Sequence, residues 1–507
     1  MAIDYTPLFR NRMVNRAKRT DTWRTGEADL QAEVLRSLLK RGAATEPGRR
    51  YAYDELAHLR NPYEAYRRRV PHVGYEVIRD SVMRMVAGER DVLWPGVCRD
   101  YAQSSGTSGG KSKYIPITSD SLRYNHYAGS ADTVAHYLRQ VPGSRIFAGK
   151  GFILGGSFAS ELHPADSNVK VGDLSATLIS KMPFLADLAR VPDRKTALLP
   201  DWSVKLPALV KAARDCNITN ISGVPSWFLT VIRAILKSKR ASNLSEVWPN
   251  LEVFFHGGIS FEPYRAEYRR LTDMSKMHFM ETYNASEGFF GVQNDLTDTS
   301  LLLIADADVF YEFFPVDGNG DSVPLWGVEK DRTYELVISA SNGLWRYHLG
   351  DTVTITQTAP VKIRIAGRTK SYINAFGEEL MEDNAERAIA EACRLTGASI
   401  INYTAAPVFA ADGKRGRHQW LVEWAKAPAD IKAFAAELDR QLQMLNSDYE
   451  AKRANTIFLD PPEVLSAPRG LFDRWLASAG THKLGGQRKV PRLVNHRDVM
   501  ERLLSLM

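Results

Sequence analysis

Apolar residues in the first hundred positions recur at helical spacing, as in Leu30, Val34, Leu35, Leu38 and Leu39. That period puts them on one face and predicts helices across residues 1–100. From residue 146 onward the texture changes to short apolar runs: Gly151–Gly155, Ile218–Gly223, Leu251–Phe255, Met277–Thr282, Val309–Phe314 and Tyr334–Ser339. Runs of this length between turn residues read as strands. Helix-like stretches such as Ser226–Lys239 alternate with them, so the expected class is α/β, layered sheets and helices rather than a sandwich. A strand-like Val361–Ile365 gives way to a polar turn at Gly367-Arg368-Thr369-Lys370 and a helix from Met381 to Leu395. Beyond it lie two strands, Ile400–Phe409 and Gln419–Trp424, a helix from Asp430 to Leu445, and a glycine-bearing basic tail. The pattern predicts a large N-terminal domain over residues 1–366 and an α+β domain over 367–507. The latter has ~140 residues, an ordinary domain size.

Composition narrows the class. In 507 residues, 44% are hydrophobic and 25% charged, close to the globular average, which excludes a disordered or membrane class. Lys plus Arg is 66 against 59 for Asp plus Glu, a net +7, a balance that suits anionic small substrates as well as nucleic acid. The densest basic run, Arg10 to Arg19, belongs to no recognisable nucleic-acid-reading module and is expected to be a solvated helix face. Cys98, Cys216 and Cys393 are too far apart for a Cys-x-x-Cys motif, so neither a disulfide framework nor a redox pair is expected and a reducing cytoplasm fits. The first residues hold no apolar core of signal-peptide length, and no run of about 18 apolar residues occurs. No membrane span is expected.

The most informative stretch is Ser104-Ser105-Gly106-Thr107-Ser108-Gly109-Gly110-Lys111-Ser112-Lys113. It has no apolar side chain and cannot be core. Its glycines let the backbone approach a polyanion, while hydroxyls and lysines add donors and charge. A nucleoside triphosphate is the natural guest. A Walker loop fails because its first glycine falls on Ser105. A hydrolase nucleophile elbow fits Gly106-Thr107-Ser108-Gly109-Gly110 formally, but Asp100-Tyr101-Ala102-Gln103 is no apolar strand and no helix follows directly. A plain surface loop remains the bland alternative.

These residues resemble the acyl-acid amido synthetases of the plant auxin- and jasmonate-conjugating (Gretchen-Hagen) type, within the adenylate-forming superfamily. Ser104 to Pro116 looks like the family's phosphate loop, with Lys113 its lysine and Lys111 incidental. Tyr283-Asn284-Ala285-Ser286-Glu287 is similar to the second motif, whose tyrosine packs on adenine and whose glutamate ligates magnesium. A strand-end carboxylate oxygen suits a hard cation shared with phosphates. Leu344 to Val353 looks like the third motif, with Asp351 on the ribose hydroxyls; one carboxylate can accept both. His256-Gly257-Gly258-Ile259-Ser260 resembles the adenine-edge loop, Gly367-Arg368 the hinge with its arginine near ribose, and Gly485 to Arg492 the terminal lysine loop.

The resemblance implies ATP and Mg2+ as cofactors. It makes Ser104, Ser105, Gly106, Thr107, Ser108, Lys113, Gly257, Gly258, Tyr283, Asn284, Ala285, Ser286, Asp351 and Arg368 nucleotide-binding residues, Glu287 and Thr107 metal ligands, and Lys489 with Glu287 catalytic. Val224, Trp227 and Phe228 are candidate walls of an acyl pocket, although Trp227 and Phe228 with Val231 also fit an apolar core face. The implied reaction is adenylation of a small carboxylic acid followed by transfer to an amine such as an amino acid, in a monomer that engages neither nucleic acid nor membrane. A coenzyme A ligase shares the first half-reaction, and a nucleotide-binding protein without chemistry is the reading from another class. Gly377-Glu378-Glu379 looks more like general adenylating enzymes than like the plant family, so the acceptor stays open.

Overall fold

The computed structural model describes residues 3–104, 113–160, 162–258, 261–316, 321–368, 372–373, 378, 380–408, 416–446, 449–450, 453, 459–478, 490–494 and 496–507. A twelve-stranded sheet forms its centre. From one edge it runs Val323–Pro324, Val309–Pro315, Thr333–Ala340, Tyr347–Thr358, Val361–Arg368, Leu301–Leu303, Gly288–Val292, His278–Ala285, Val253–Gly257, Ile218–Gly223, Lys150–Ile153 and Arg190–Val191. The last five pair in parallel. From His278–Ala285 back to the first edge every pairing is antiparallel.

Parallel strands need crossovers, which here are helices. Trp202–Ala213 precedes Ile218–Gly223, Pro225–Lys239 joins it to Val253–Gly257, and Glu262–Leu271 leads on to His278–Ala285. Phe228, Val231, Ile232 and Ile235 on one helix, and Tyr264 and Tyr268 on another, share a buried apolar cluster with Phe152, Ile221 and Phe254 of the strands.

The N-terminal hundred residues are helical as expected, in Thr6–Lys18, Trp23–Gly42, Glu46–Arg50, Tyr53–Ala57, Pro62–Arg69 and Tyr75–Val86. Val34, Leu35, Leu38 and Leu39 are buried and Leu30 partly so. The same helix buries two polar side chains. Gln31 donates to the carbonyls of Ala305 and Val309 and accepts from the Tyr311 N–H, while Glu27 accepts the Val361 N–H at 3.0 Å. The basic run corrects the expectation of a solvated face. Arg10 donates to the carbonyls of Leu138, Val141 and Ser144, Arg16 pairs with buried Asp132, and Arg19 bridges Asp132 and Asp306. These arginines clamp the first helix onto Tyr127–Gln140.

After Arg368, Ser399–Val408, Arg417–Lys426 and Glu463–Ala467 form a separate three-stranded sheet. Helices Glu382–Thr396 and Ile431–Leu445 pack on it around Ile389, Tyr403, Trp420 and Leu438. No helix among the described residues is long and apolar enough to cross a membrane. The three cysteines are free.

Burial raises the Glu27 carboxyl to about 7 from an ordinary 4.5, against the opposing pull of the Val361 N–H. Between those values the folded chain holds a proton that the unfolded chain has released, so this group's contribution to stability falls as pH rises through that window. Glu27→Gln is expected to flatten the wild-type slope of urea midpoint against pH between 4.5 and 7; an unchanged slope would exclude Glu27 as its source.

Candidate active site

Three neighbouring parallel strands end together. Ile218–Gly223 leads into Val224, Val253–Gly257 into Gly258, and His278–Ala285 into Ser286 and Glu287. Carboxyl ends of parallel strands are where open α/β sheets gather their ligands. The glycines there answer to geometry: a Cβ on Gly257 would lie 2.5 Å from the Thr282 carbonyl oxygen, and Gly258 has φ +83°. Both conditions exclude larger residues.

The second and third sequence motifs meet in one contact. The Tyr283 hydroxyl donates to Asp351 Oδ2 at 2.6 Å, and both side chains are buried. Their strands are four places apart in the sheet. At ~4.8 Å per strand a flat sheet would separate them by roughly 19 Å, so the sheet is curled. Asp351 also stands opposite Arg368 in register.

Asp351 is held by the strand Tyr347–Thr358, whose entry is locked by a buried charge. Arg346, at φ +43°, is bonded through Nε and Nη2 to the fully buried Glu312 and donates to the carbonyls of Arg67 and Val70 and to Ser322 Oγ. A buried ion pair with its remaining donors satisfied resists displacement, since removing either partner leaves an unpaired buried charge. Tyr347, the next residue, accepts from Lys113 Nζ at 3.4 Å. Lys113 opens the strand that follows the glycine-rich loop, so the loop's exit is tied to the third motif.

Glu287 is buried at 7% exposure, and its carbonyl accepts from the Asn342 amide at 2.9 Å. Asn342 was not singled out from the sequence; the turn Ser341-Asn342-Gly343 just before the third motif was the available sign. Among the described residues no group of three or more His, Cys, Asp or Glu could hold a metal by itself. A single buried carboxylate at a strand end still fits magnesium that is shared with phosphates, because such magnesium takes one or two carboxylates and keeps its other ligands from elsewhere.

Three family models match the chain in order: the GH3 family N-terminal domain over residues 18–277, the central domain over 302–368 and the C-terminal domain over 383–498. The chain belongs to the GH3 family. It is 23% identical over 558 residues to indole-3-acetic acid-amido synthetase GH3.4 of Arabidopsis thaliana, covering 94% of this chain and 91% of the relative. Likeness to indole-3-acetic acid-amido synthetase GH3.8 of Oryza sativa subsp. indica is 24% over 574 residues, with 97% and 92% covered. Among solved structures, the acyl acid amido synthetase AtGH3.15 in complex with 2,4-DB superposes with a TM-score of 0.77 at 20% identity, over 97% of this chain and 95% of that one. A 2-hydroxyisobutyryl-CoA ligase in the postadenylation state gives 0.56 at 12% identity, over 94% and 91%. The fold is thus the adenylate-forming fold that the GH3 enzymes share with acyl-CoA ligases.

In this GH3 chain Gly257, Gly258, Tyr283, Asn284, Ala285, Ser286 and Glu287 cluster at the strand ends, with Asp351 joined to them through Tyr283. Ser105, Gly106, Thr107, Ser108 and Lys489 lie outside the described residues, as do the side chains of Ser104 and Arg368. The acyl-wall candidates divide. Val224 caps its helix at the strand end and Trp227 is partly buried, whereas Phe228 is fully enclosed edge-on against Phe152 and Phe254 and serves the core. The segment after Lys489 is anchored. Arg492 donates to the Tyr264 hydroxyl at 3.1 Å and lies over the Tyr403 ring, and the Tyr264 hydroxyl donates to the Ile401 carbonyl. Tyr264 sits on the helix that follows Gly257-Gly258.

A charge-assisted hydrogen bond inside the protein is worth about 1.5–3 kcal/mol. A double-mutant cycle of Tyr283→Phe and Asp351→Asn, followed by urea unfolding, is expected to give a coupling energy of that order; additive effects would mean that the two motifs are not joined in solution.

Proposed function

We propose that this chain is an ATP- and magnesium-dependent acyl-acid amido synthetase that adenylates a small carboxylic acid and then passes the acyl group to an amine such as an amino acid. The observation that carries the reading is the Tyr283–Asp351 bond, which joins the second and third motifs beside the parallel-strand end that bears the buried Glu287, in a chain matched in order by the three GH3 domains. Residues 1–366 serve as the adenylation domain and 367–507 as the lid.

Each residue has a physical task. Asp351, steadied by Tyr283, accepts the ribose hydroxyls, with Arg368 beside them. Gly257 and Gly258 admit the adenine edge that Tyr283 packs against, and the backbone of Asn284, Ala285 and Ser286 continues that wall. The donors of Ser104, Ser105, Gly106, Thr107 and Ser108, with Lys113, cradle the phosphates. Glu287 and the Thr107 hydroxyl hold magnesium, which neutralises phosphate charge when bound. The acid's carboxylate displaces pyrophosphate from the α-phosphorus, giving a mixed anhydride whose carbonyl an amine then attacks. Protein catalysis here is positioning and charge stabilisation. Lys489 supplies a compact ammonium between carboxylate and α-phosphate, a task for which a planar guanidinium is less suited.

Pyrophosphate exchange into ATP, measured with one acid at a time, tests the first half-reaction. Amide formation without coenzyme A is expected in the second; a strictly thiol-dependent product would instead identify a coenzyme A ligase, and acid-independent behaviour a nucleotide-binding protein without chemistry. Glu287→Gln removes a formal charge from the metal's ligands at constant volume, so it should lose most exchange and regain part of it at raised magnesium. Wild-type exchange at ordinary magnesium would take Glu287 out of the metal site. Lys489→Ala should lower exchange by ~10² or more, the order of one lost electrostatic donor, while supplied acyl-adenylate is still converted to amide. Equal loss in both half-reactions would point to a damaged lid.

A further inference from the structure

The Tyr264 hydroxyl carries two bonds across the domain boundary that none of these steps uses. It accepts from Arg492 Nη2 at 3.1 Å and donates to the Ile401 carbonyl at 3.0 Å, while its ring lies in the N-terminal apolar cluster with Phe254 and Phe261. Both side chains are buried, Tyr264 at 1% and Arg492 at 7% exposure. On the lid side Arg492 is fixed by further contacts. It donates to Asn402 Oδ1 and the Tyr403 carbonyl, pairs with Glu386 at 3.3 Å and lies over the Tyr403 ring. Its backbone is stitched to the edge of the lid sheet: the Ala405 N–H donates to the Arg492 carbonyl, the Val494 N–H to the Ala405 carbonyl, and Thr404 Oγ1 to the Pro491 carbonyl.

We propose that Tyr264 and Arg492 are positioning residues for Lys489: their clamp holds the lid with its lysine loop towards the nucleotide, and so serves adenylation and not acyl transfer. The proposal rests on the adenylation reading above and adds to it what keeps the lysine in place. Lys489 precedes Arg492 by three residues, and three residues span at most ~11 Å. The helix Glu262–Leu271 that carries Tyr264 begins four residues beyond Gly258, the glycine assigned above to the adenine edge. An anchor on that helix keeps the lysine loop on the nucleotide's side. A guanidinium suits the task, because its planar fork donates in several fixed directions and can bond Asn402, Tyr403 and Tyr264 together; an ammonium on a flexible stem fixes less. When the lid moves away, both cross-boundary bonds are exchanged for bonds to water, so their net contribution is modest. That is enough to bias the orientation and too little to prevent release. Phenylalanine at position 264 would keep the ring packing and remove both bonds.

The test uses the full-length enzyme, ATP, pyrophosphate and the acid that the exchange screen above ranks first. Tyr264→Phe is expected to lower the kcat of exchange by ~10-fold or more, the factor lost with one charge-assisted hydrogen bond. The KM for ATP and the conversion of supplied acyl-adenylate to amide should stay unchanged. Arg492→Lys should show the same split, and since it tests the bond from the lid side, either variant carries the test if the other does not fold. In the Lys489→Ala background Tyr264→Phe should cost nothing further, because a residue that acts through the lysine has no effect once the lysine is gone. A merely structural role would lower the remaining exchange again. Unchanged exchange in Tyr264→Phe, equal loss in both half-reactions, or additive losses in the double variant overturn the proposal. If no acid supports exchange by the wild type, the adenylation reading fails, and tryptic cleavage at Arg368-Thr369-Lys370, between the domains, decides the clamp by itself. Faster cleavage there in Tyr264→Phe, with cleavage elsewhere unchanged, upholds the clamp, and equal cleavage overturns it.

Discussion

Between Ala285 and Gly288 the chain reverses, and the sheet stops being parallel. On one side of that reversal lie strands joined by helical crossovers, whose carboxyl ends all point the same way. On the other side lies an antiparallel half, a meander broken where Leu301–Leu303 pairs with Val361–Arg368, that curls until its fourth strand can place Asp351 against the Tyr283 hydroxyl. Neither half makes the site alone. The parallel half supplies backbone openings at Gly257 and Gly258 and the carboxylate of Glu287, and the meander supplies the second carboxylate and Tyr347. The curl of the sheet is the constraint on which the arrangement depends, and the Tyr283–Asp351 bond is where the two halves are fastened.

That fastening needs a rigid anchor on the meander side. Arg346 provides it by committing a buried guanidinium to Glu312, two backbone carbonyls and Ser322 Oγ. Such a pair adds little net stability compared with an apolar replacement, because desolvation offsets much of the attraction. Its value lies in direction: a guanidinium has fixed donor geometry, so the turn before Tyr347 has one low-energy placement. Lys113 and Asp351 take their positions from that turn.

The parallel strands were legible as short segments set between turn residues and helix-like stretches; Ile218–Gly223 was read to the residue. The meander was read less completely. Tyr347–Thr358 is a twelve-residue strand, but Gly350-Asp351 inside it carries turn chemistry and hides the run. Leu301–Leu303 and Arg190–Val191 are three and two residues long, too short for any periodicity. Motif segments were legible because chemistry restricts their residue types, yet the contacts between them were not, since the Tyr283–Asp351 bond joins positions 68 apart. Arg16 and Arg19 looked like a solvated surface until Asp132 and Asp306 came into view, and Arg10 until the carbonyls of Leu138, Val141 and Ser144 did.

The seam made by Gln31 bears on how the chain comes into being. Its amide satisfies backbone groups of Ala305, Val309 and Tyr311, the last 280 residues further on. During synthesis from the N-terminus, the first helices leave the ribosome long before those partners exist. The Gln31 amide and the apolar face around it must wait, hydrated or sheltered by other proteins, until more than three hundred residues have emerged. Contacts of such separation slow folding and prolong exposure of sticky surface. The helical start of this protein is therefore a late-closing part of its core, and its demand for chaperones during translation should be set by the distance between Gln31 and Tyr311 rather than by the helix itself.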